Sequence, residues 1–168
     1  DKPAKRGMKL AASPVKKFAE EKGLKVLQPA RLKNSPEAME EFRALGADIA
    51  VVVAYGKLLP DEMLSAPPLG CINIHGSLLP KYRGSAPIQW TVLNGEREGG
   101  VTAMYLAHDM DAGDMIASAS TPIGEYETYG ELYDRLRVIG AQLLLDTLRA
   151  IESGTATRTA QDPALVSY

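Results

Sequence analysis

The chain has 168 residues, 45% of them hydrophobic, which is the size and composition of one ordinary domain with a normal buried core. Its single cysteine, Cys71, excludes an intrachain disulfide and a cysteine-based metal cluster. No apolar run approaches the roughly 18 residues that a membrane helix needs. We therefore expect a protein without a membrane segment or structural zinc, located in the cytoplasm, or in an organellar matrix if the source is eukaryotic.

Charge is distributed unevenly, although the formal net charge is only −2. Residues 1–33 carry ten lysines or arginines against three acidic residues, whereas the remainder carries nine against eighteen. A basic end on an acidic body favours an anionic partner at that end. A solvated lysine-rich helix face is the simpler interpretation of the charge alone.

The first two predicted helices each begin at a serine followed by proline, which is an N-cap with proline in the first turn. One starts at Ser13 and ends at Gly23, and the other starts at Ser35 and ends at Gly46. A short strand is predicted between them, over residues 24–27.

The next stretch, 49–54, is an unbroken apolar run rich in valine. Such a run is typical of a strand buried on both faces of a parallel sheet. A short helix is predicted from about Asp61. The following predictions are a strand at 71–75, a helix at 86–93, and strands at 101–107 and 115–121.

Thr128 and Glu131 have the spacing of a capping box, which predicts the start of a long helix that ends at Gly154. Its apolar stripe consists of Leu132, Leu136, Ile139, Leu143 and Leu144. The alternation of helices and strands predicts an α/β fold with a doubly wound, mostly parallel sheet flanked by helices. In such folds ligands bind outside the carboxyl ends of the strands, and His75 stands at such an end.

Residues 73–84 read Asn-Ile-His-Gly-Ser-Leu-Leu-Pro-Lys-Tyr-Arg-Gly. Alternate strand residues face the same way, so Asn73 and His75 have Cα atoms roughly 6.6 Å apart and can reach one bound carbonyl. An asparagine amide can donate to a developing oxyanion, and a histidine can carry a proton. Asp111 could orient a charged imidazole or hold a water.

This signature, with Asp111 inside Met-Asp-Ala-Gly-Asp, resembles that of the folate-dependent formyltransferases, and particularly those that act on methionyl-tRNA. The resemblance covers essentially the whole chain. It implies a Rossmann-like formyltransferase fold, 10-formyltetrahydrofolate as the one-carbon donor, no metal, and a catalytic trio of Asn73, His75 and Asp111.

The resemblance also implies a folate site. The Ser-Leu-Leu-Pro segment borders it, and two further segments resemble the walls that hold the pterin ring. The implied residues are Ser77, Leu78, Leu79, Pro80, Val53, Tyr55, Gly56, Asp109 and Gly113.

The acceptor amine is not decided by the Asn-x-His chemistry, which enzymes acting on glycinamide ribonucleotide or amino-sugar nucleotides share. The basic amino-terminal loop, with Lys5, Arg6 and Lys9, resembles the loop that methionyl-tRNA formyltransferases direct toward the acceptor stem. The resemblance therefore implies initiator methionyl-tRNA as partner, and we expect a monomer. A non-catalytic folate- or RNA-binding module is a third hypothesis, which the intact trio disfavours.

Compared with that family, residues 1–168 are expected to form a partial catalytic domain. The resemblance implies that the first strand, helix and strand of the family fold would precede Asp1, and that its carboxyl-terminal β-barrel domain would follow Tyr168.

Other site interpretations are weaker. Asp109, Asp111 and Asp114 are spaced like a calcium loop, but Gly113 replaces one oxygen ligand and Ser120 replaces the closing glutamate. The chain contains neither a Walker A motif nor Gly-x-Gly-x-x-Gly. His108, the second histidine, lies in a polar stretch and is predicted to be a surface residue.

Overall fold

The structure is a computed structural model that describes the backbone of residues 2–4 and 9–168, and side chains from Ala11 onward. It divides into two compact units. The described residues up to Ala38 belong to the first, and Met39–Tyr168 form the second.

In the first unit, strands β1 (Lys2–Ala4) and β2 (Lys9–Ala11) pair antiparallel, and helix α1 spans Pro14–Glu21. The predicted N-cap is confirmed, because the Ser13 side chain accepts the Lys16 N–H at 3.2 Å. The strand predicted at 24–27 is wrong. The Leu24 N–H is used by the end of α1, where it donates to the Ala19 carbonyl at 2.8 Å.

Helix α2 (Pro36–Ala44) starts where the Ser-Pro signal predicts. The remaining elements follow in chain order. They are β3 (Ala50–Val52), α3 (Asp61–Leu64), β4 (Cys71–His75), α4 (Pro87–Leu93), β5 (Glu98–Tyr105), β6 (Met115–Pro122), α5 (Tyr129–Glu152) and a 3-10 helix at Pro163–Leu165.

The second unit contains a four-stranded sheet of order β3-β4-β5-β6, so the predicted α/β class is confirmed. The pairing differs from the mostly parallel expectation: β3 and β4 are parallel, whereas the β4/β5 and β5/β6 pairs are antiparallel. Thr102 of β5 lies opposite His75, and β5 begins beyond that point. The connection through α4 therefore starts and finishes at the same end of the sheet, so β5 runs antiparallel to β4.

Strand β3 is less buried than its apolar sequence predicts. Val51 is 41% exposed and Val53, just after the strand, is 56% exposed. Within the part of the chain that the structure describes, β3 pairs with β4 alone. An edge position explains the exposure, because only one flank of the strand is covered.

Helix α5 packs against β5 and β6 and covers one face of the sheet. The capping box is confirmed: the Thr128 side chain accepts the Glu131 N–H, and the Glu131 carboxylate accepts the Thr128 N–H at 2.9 Å. Leu132 and Leu136 are buried with Val101 in the core between helix and sheet. This close packing makes the sheet rigid on the face that α5 covers.

No helix among the residues that the structure describes combines the length and apolarity that a membrane crossing requires.

Replacing Leu132, which is fully buried, with alanine should destabilise the protein by about 2–5 kcal/mol, because a cavity would remain beside Val101. Leu145→Ala, on the same helix at a 50% exposed position, is the matched control and should cost less than about 1 kcal/mol. Urea unfolding monitored by circular dichroism measures both. Equal midpoints for the two variants would contradict the packing described here.

Candidate active site

The site begins with the alternation of β4. Ile74 packs into the core beneath α5, so its neighbours Asn73 and His75 point to the opposite face of the sheet. His75 is 5% exposed, whereas Asn73 is partly exposed. The structure therefore places both side chains on one strand face, as the sequence predicts.

Both ring nitrogens of His75 face defined groups. Nε2 lies 2.8 Å from the Tyr82 carbonyl oxygen. Because a carbonyl only accepts, Nε2 carries the hydrogen and donates it. Nδ1 lies 3.6 Å from Oδ2 of Asp111, beyond ordinary hydrogen-bond distance but within the range of a direct charge interaction. The backbone hydrogen bond thus directs Nδ1 toward the carboxylate.

Asp111 is held by its own loop and by the loop after β4. Its φ of +51° is in the left-handed region, and its Oδ2 accepts the Gly84 N–H at 2.9 Å. Two residues later, Gly113 leaves no room for a side chain, since an added Cβ would overlap the Tyr105 carbonyl oxygen. Position 113 therefore requires glycine because the backbone passes close to the Tyr105 carbonyl, and this close approach shapes the Asp111 turn.

The Ser-Leu-Leu-Pro segment is tied to β5 by Thr102. The fully buried Thr102 hydroxyl donates to the Ser77 carbonyl at 2.7 Å and accepts the Leu79 N–H at 3.1 Å. The Ser77 hydroxyl donates to the Lys81 carbonyl at 2.6 Å, so it closes the loop internally. Sequence reasoning missed Thr102, because within an apolar strand it carries no signal of its role.

Tyr82 presents its carbonyl to His75 from a left-handed backbone with φ of +56°. Its hydroxyl donates to Glu96 at 2.7 Å and accepts from the Asn94 amide at 3.0 Å. Burial, and then the bond to Glu96, raise the pKa of Tyr82. The bonds from Tyr82 and Lys81 lower the pKa of Glu96. At neutral pH this network is a neutral phenol donating to a carboxylate, which anchors the ring.

The last residues of the chain hydrogen-bond to the same loop. Sequence reasoning missed this contribution. Ser167 accepts the Tyr82 N–H on its side-chain oxygen at 2.9 Å and the Arg83 N–H on its carbonyl at 2.8 Å. Gln161 hydrogen-bonds to Arg83 and to the backbone of Asp111 and Gly113. No local motif marks either residue, since their partners lie 48–85 positions away.

The implied folate residues fall into three groups. Ser77 and Leu79 are buried and Leu78 and Pro80 partly exposed, all in the loop directly after His75. The second group, Val53, Tyr55 and Gly56, is exposed and follows β3, whose carboxyl end lies beside that of β4 because the two strands are parallel. Asp109, exposed, and Gly113, buried, belong to the Asp111 turn. The first two groups therefore lie at the carboxyl ends of β3 and β4. The Asp111 turn follows β5, which runs antiparallel to β4, and it reaches the site through the contacts of Asp111 with His75 and Gly84.

The three basic residues of the amino-terminal loop and His108 are the remaining residues singled out from the sequence. Lys5 and Arg6 fall outside the described residues, and for Lys9 the structure describes only its backbone in β2. His108 is a surface residue as predicted, and its Nδ1 lies 2.9 Å from the Asp61 carboxylate. That carboxylate raises the pKa of His108. Among the described residues no group of three or more histidine, cysteine or acidic side chains is arranged to hold a metal.

A family model described as formyl transferase matches residues 1–148. The chain belongs to the formyl transferase family. It is 52% identical over all 168 residues to the methionyl-tRNA formyltransferase of Ruminiclostridium cellulolyticum, and covers 54% of that protein. This formyl transferase chain thus spans about half the length of the curated relatives it matches.

Solved structures of the family share the fold. Glycinamide ribonucleotide transformylase 1 from Symbiobacterium toebii matches with a TM-score of 0.75 and 25% identity, over 87% of this chain and 74% of that one. The formyltransferase PseJ from Anoxybacillus kamchatkensis, in complex with a formamido sugar nucleotide and tetrahydrofolate, matches with a TM-score of 0.72 and 22% identity, over 92% of this chain and 78% of that one. The formyltransferase fold expected from the sequence is therefore confirmed.

Gly113→Ala should destabilise the protein by about 1–3 kcal/mol, because the new Cβ overlaps backbone that cannot move aside cheaply. Gly124→Ala is the matched control, since its Cβ would meet only ordinary contacts with Glu127. Thermal melts of both variants test this expectation. A Gly113→Ala midpoint equal to that of Gly124→Ala would show that the turn is not constrained as described.

Proposed function

We propose that the protein transfers a formyl group from 10-formyltetrahydrofolate to the amino group of methionyl-initiator tRNA. The observation that carries the proposal is the buried His75, fixed at Nε2 by a backbone carbonyl and facing Asp111 at Nδ1, in a chain that belongs to the formyl transferase family. We assign Asn73, His75 and Asp111 as catalytic residues.

The reaction moves one proton as well as one carbon. A bond forms between the acceptor nitrogen and the formyl carbon, the bond to the folate nitrogen breaks, and the proton lost by the acceptor amine balances the one gained by that nitrogen. His75 can carry this proton only at Nδ1, because Nε2 is engaged with Tyr82. A proton on Nδ1 faces the Asp111 carboxylate, which stabilises the resulting positive charge.

Asn73 is suited to the oxyanion that develops when the amine attacks. It lies two residues before His75 on the same strand face and is partly exposed at the site. Its side-chain amide supplies N–H donors, and a donor held rigidly by a strand does not have to reorganise during the reaction. Asn73 would then stabilise the negative charge of the oxyanion, and Nδ1 of His75 would handle the proton of the attacking amine.

The proposed donor suits the residues around the site. The exposed Val53 and Tyr55 and the partly exposed Leu78 supply apolar surface for a flat aromatic ring at the carboxyl ends of β3 and β4. The structurally similar PseJ is a complex with tetrahydrofolate, which supports a reduced folate as the carrier. When bound, the folate supplies the activated formyl group, and the protein residues supply binding, orientation and proton handling.

The choice of acceptor rests on how similar this sequence is to relatives that act on different acceptors. The relative from Ruminiclostridium, 52% identical, is a methionyl-tRNA formyltransferase, whereas the named structural neighbours that act on glycinamide ribonucleotide or a sugar nucleotide are 25% and 22% identical. We therefore prefer initiator methionyl-tRNA, with Lys5, Arg6 and Lys9 as phosphate contacts. A partial catalytic domain, a monomeric state and a cytoplasmic location remain predictions.

Replacing the trio tests the assigned roles. In the protein expressed at its full natural length, Asn73→Ala, His75→Ala and Asp111→Asn should each lower kcat by about 10²–10⁴-fold. Affinity for the folate donor should change less than about threefold, because the lost interactions act in the transition state. Steady-state kinetics and folate titration measure the two quantities. His108→Ala is the matched histidine control, and turnover near the parent value in two trio variants would refute the assignment.

Replacing Arg6 tests the tRNA acceptor. Arg6→Ala should raise KM for methionyl-tRNA and flatten the salt dependence of tRNA binding by roughly 0.7–0.9 in slope, the value for one lost phosphate contact. Folate affinity should stay unchanged. The matched control is Arg137→Ala, an exposed arginine on α5 that pairs with Asp134. Identical salt curves for Arg6→Ala and the parent would argue against this loop as the tRNA contact.

A further inference from the structure

Gln161 is a buried side chain, 9% exposed, that lies outside the proposed trio. Its Nε2 donates to the carbonyl oxygens of Asp111 at 2.8 Å and Gly113 at 2.9 Å. Its Oε1 accepts from Nε of Arg83 at 3.0 Å and from Nη2 at 2.8 Å. A carboxamide offers two N–H donors and an oxygen that accepts two bonds, so these contacts use its full capacity.

The partners of Gln161 dictate both its orientation and its chemistry. Carbonyl oxygens only accept and a guanidinium only donates, so the reversed amide would oppose like groups at all four contacts. A carboxylate at 161 would pair with Arg83 but would repel the two carbonyls. Among side chains of this length, an amide satisfies both partners together.

The two loops joined by Gln161 are the ones that hold the Asp111 carboxylate. Gly84, which donates to Oδ2 of Asp111, directly follows Arg83. The Asp111 backbone itself is left-handed, a conformation that a non-glycine residue adopts at a cost and that surrounding contacts must maintain. Gln161 therefore hydrogen-bonds to the backbone of Asp111 and also to the loop whose Gly84 N–H donates to the Asp111 carboxylate.

We infer that Gln161 is a positioning residue for formyl transfer: it holds the Asp111 carboxylate beside Nδ1 of His75 by joining the Arg83 loop to the Asp111 turn. The inference rests on the proposed function, in which His75 and Asp111 handle the proton. Gln161 contacts the backbone of Asp111 and not its carboxylate, so it acts through geometry.

The test uses Gln161→Ala and Gln161→Glu, each alone and combined with Asp111→Asn, in the protein at its full natural length. Each single variant should lower kcat by about tenfold or more while KM for 10-formyltetrahydrofolate changes less than about threefold. In the Asp111→Asn background the same changes should lower kcat by less than about twofold, because no carboxylate remains to be positioned. Gln161→Glu keeps the side-chain length and the Arg83 partner, so it carries the test if the alanine variant does not fold.

Thr128→Ala is the stability control, because it removes the α5 cap at a distance from the site. It should lower the melting temperature and leave kcat within about twofold of the parent. Two results would overturn the inference. One is a kcat within about twofold of the parent for a folded Gln161 variant, and the other is the same loss of kcat with and without Asp111→Asn.

Two further readouts separate this inference from the proposed function. Methionyl-tRNA, glycinamide ribonucleotide and an amino-sugar nucleotide are compared as acceptors. If the parent uses only one of the last two, the proposed tRNA acceptor is wrong and the Gln161 series is measured with that substrate. Nitrogen-15 NMR of the imidazoles needs no turnover, and the exposed His108 is an internal reference. Gln161→Glu should shift the His75 signals whereas Thr128→Ala should not, and unchanged His75 signals would also overturn the inference.

Discussion

The hydrogen bond from Nε2 of His75 to the Tyr82 carbonyl is the interaction around which the site is organised. It buries an imidazole with one nitrogen satisfied, as a buried polar group requires, and leaves the other directed at Asp111. The acceptor is a backbone atom, so its position depends on the path of the whole loop after β4. Any movement of that loop would therefore turn the imidazole.

Several independent contacts hold this loop. Thr102 ties its beginning to β5, the Ser77 hydroxyl closes its middle, and Ser167 binds Tyr82 and Arg83 near its end. The Tyr82 ring adds its bond to Glu96. Because that carboxylate has a lowered pKa, its contribution to stability is present at neutral pH and is lost as the pH falls through the acid range.

The two faces of the sheet have different roles: one packs in the core and the other carries polar side chains of the site. One face of β4 and β5 packs beneath α5 through Ile74 and Val101, and the other presents Asn73 and His75. An apolar layer held by close packing resists deformation, so the strand that carries the polar pair has a rigid base. The parallel pairing of β3 with β4 then brings the exposed Tyr55 segment to the same end of the sheet. The mixed strand directions follow from a connection that returns to the end it left.

The sequence by itself determined what depends on neighbouring residues. The Ser13 cap, the capping box at Thr128, strand β4 and the placement of Asn73 and His75 on one face all follow from short spacings, because helix caps and strand alternation are local rules. Tertiary structure decided the rest. The direction of β5, the exposure of β3 and the roles of Thr102, Gln161 and Ser167 depend on partners distant in the chain, and no local pattern encodes such a partner.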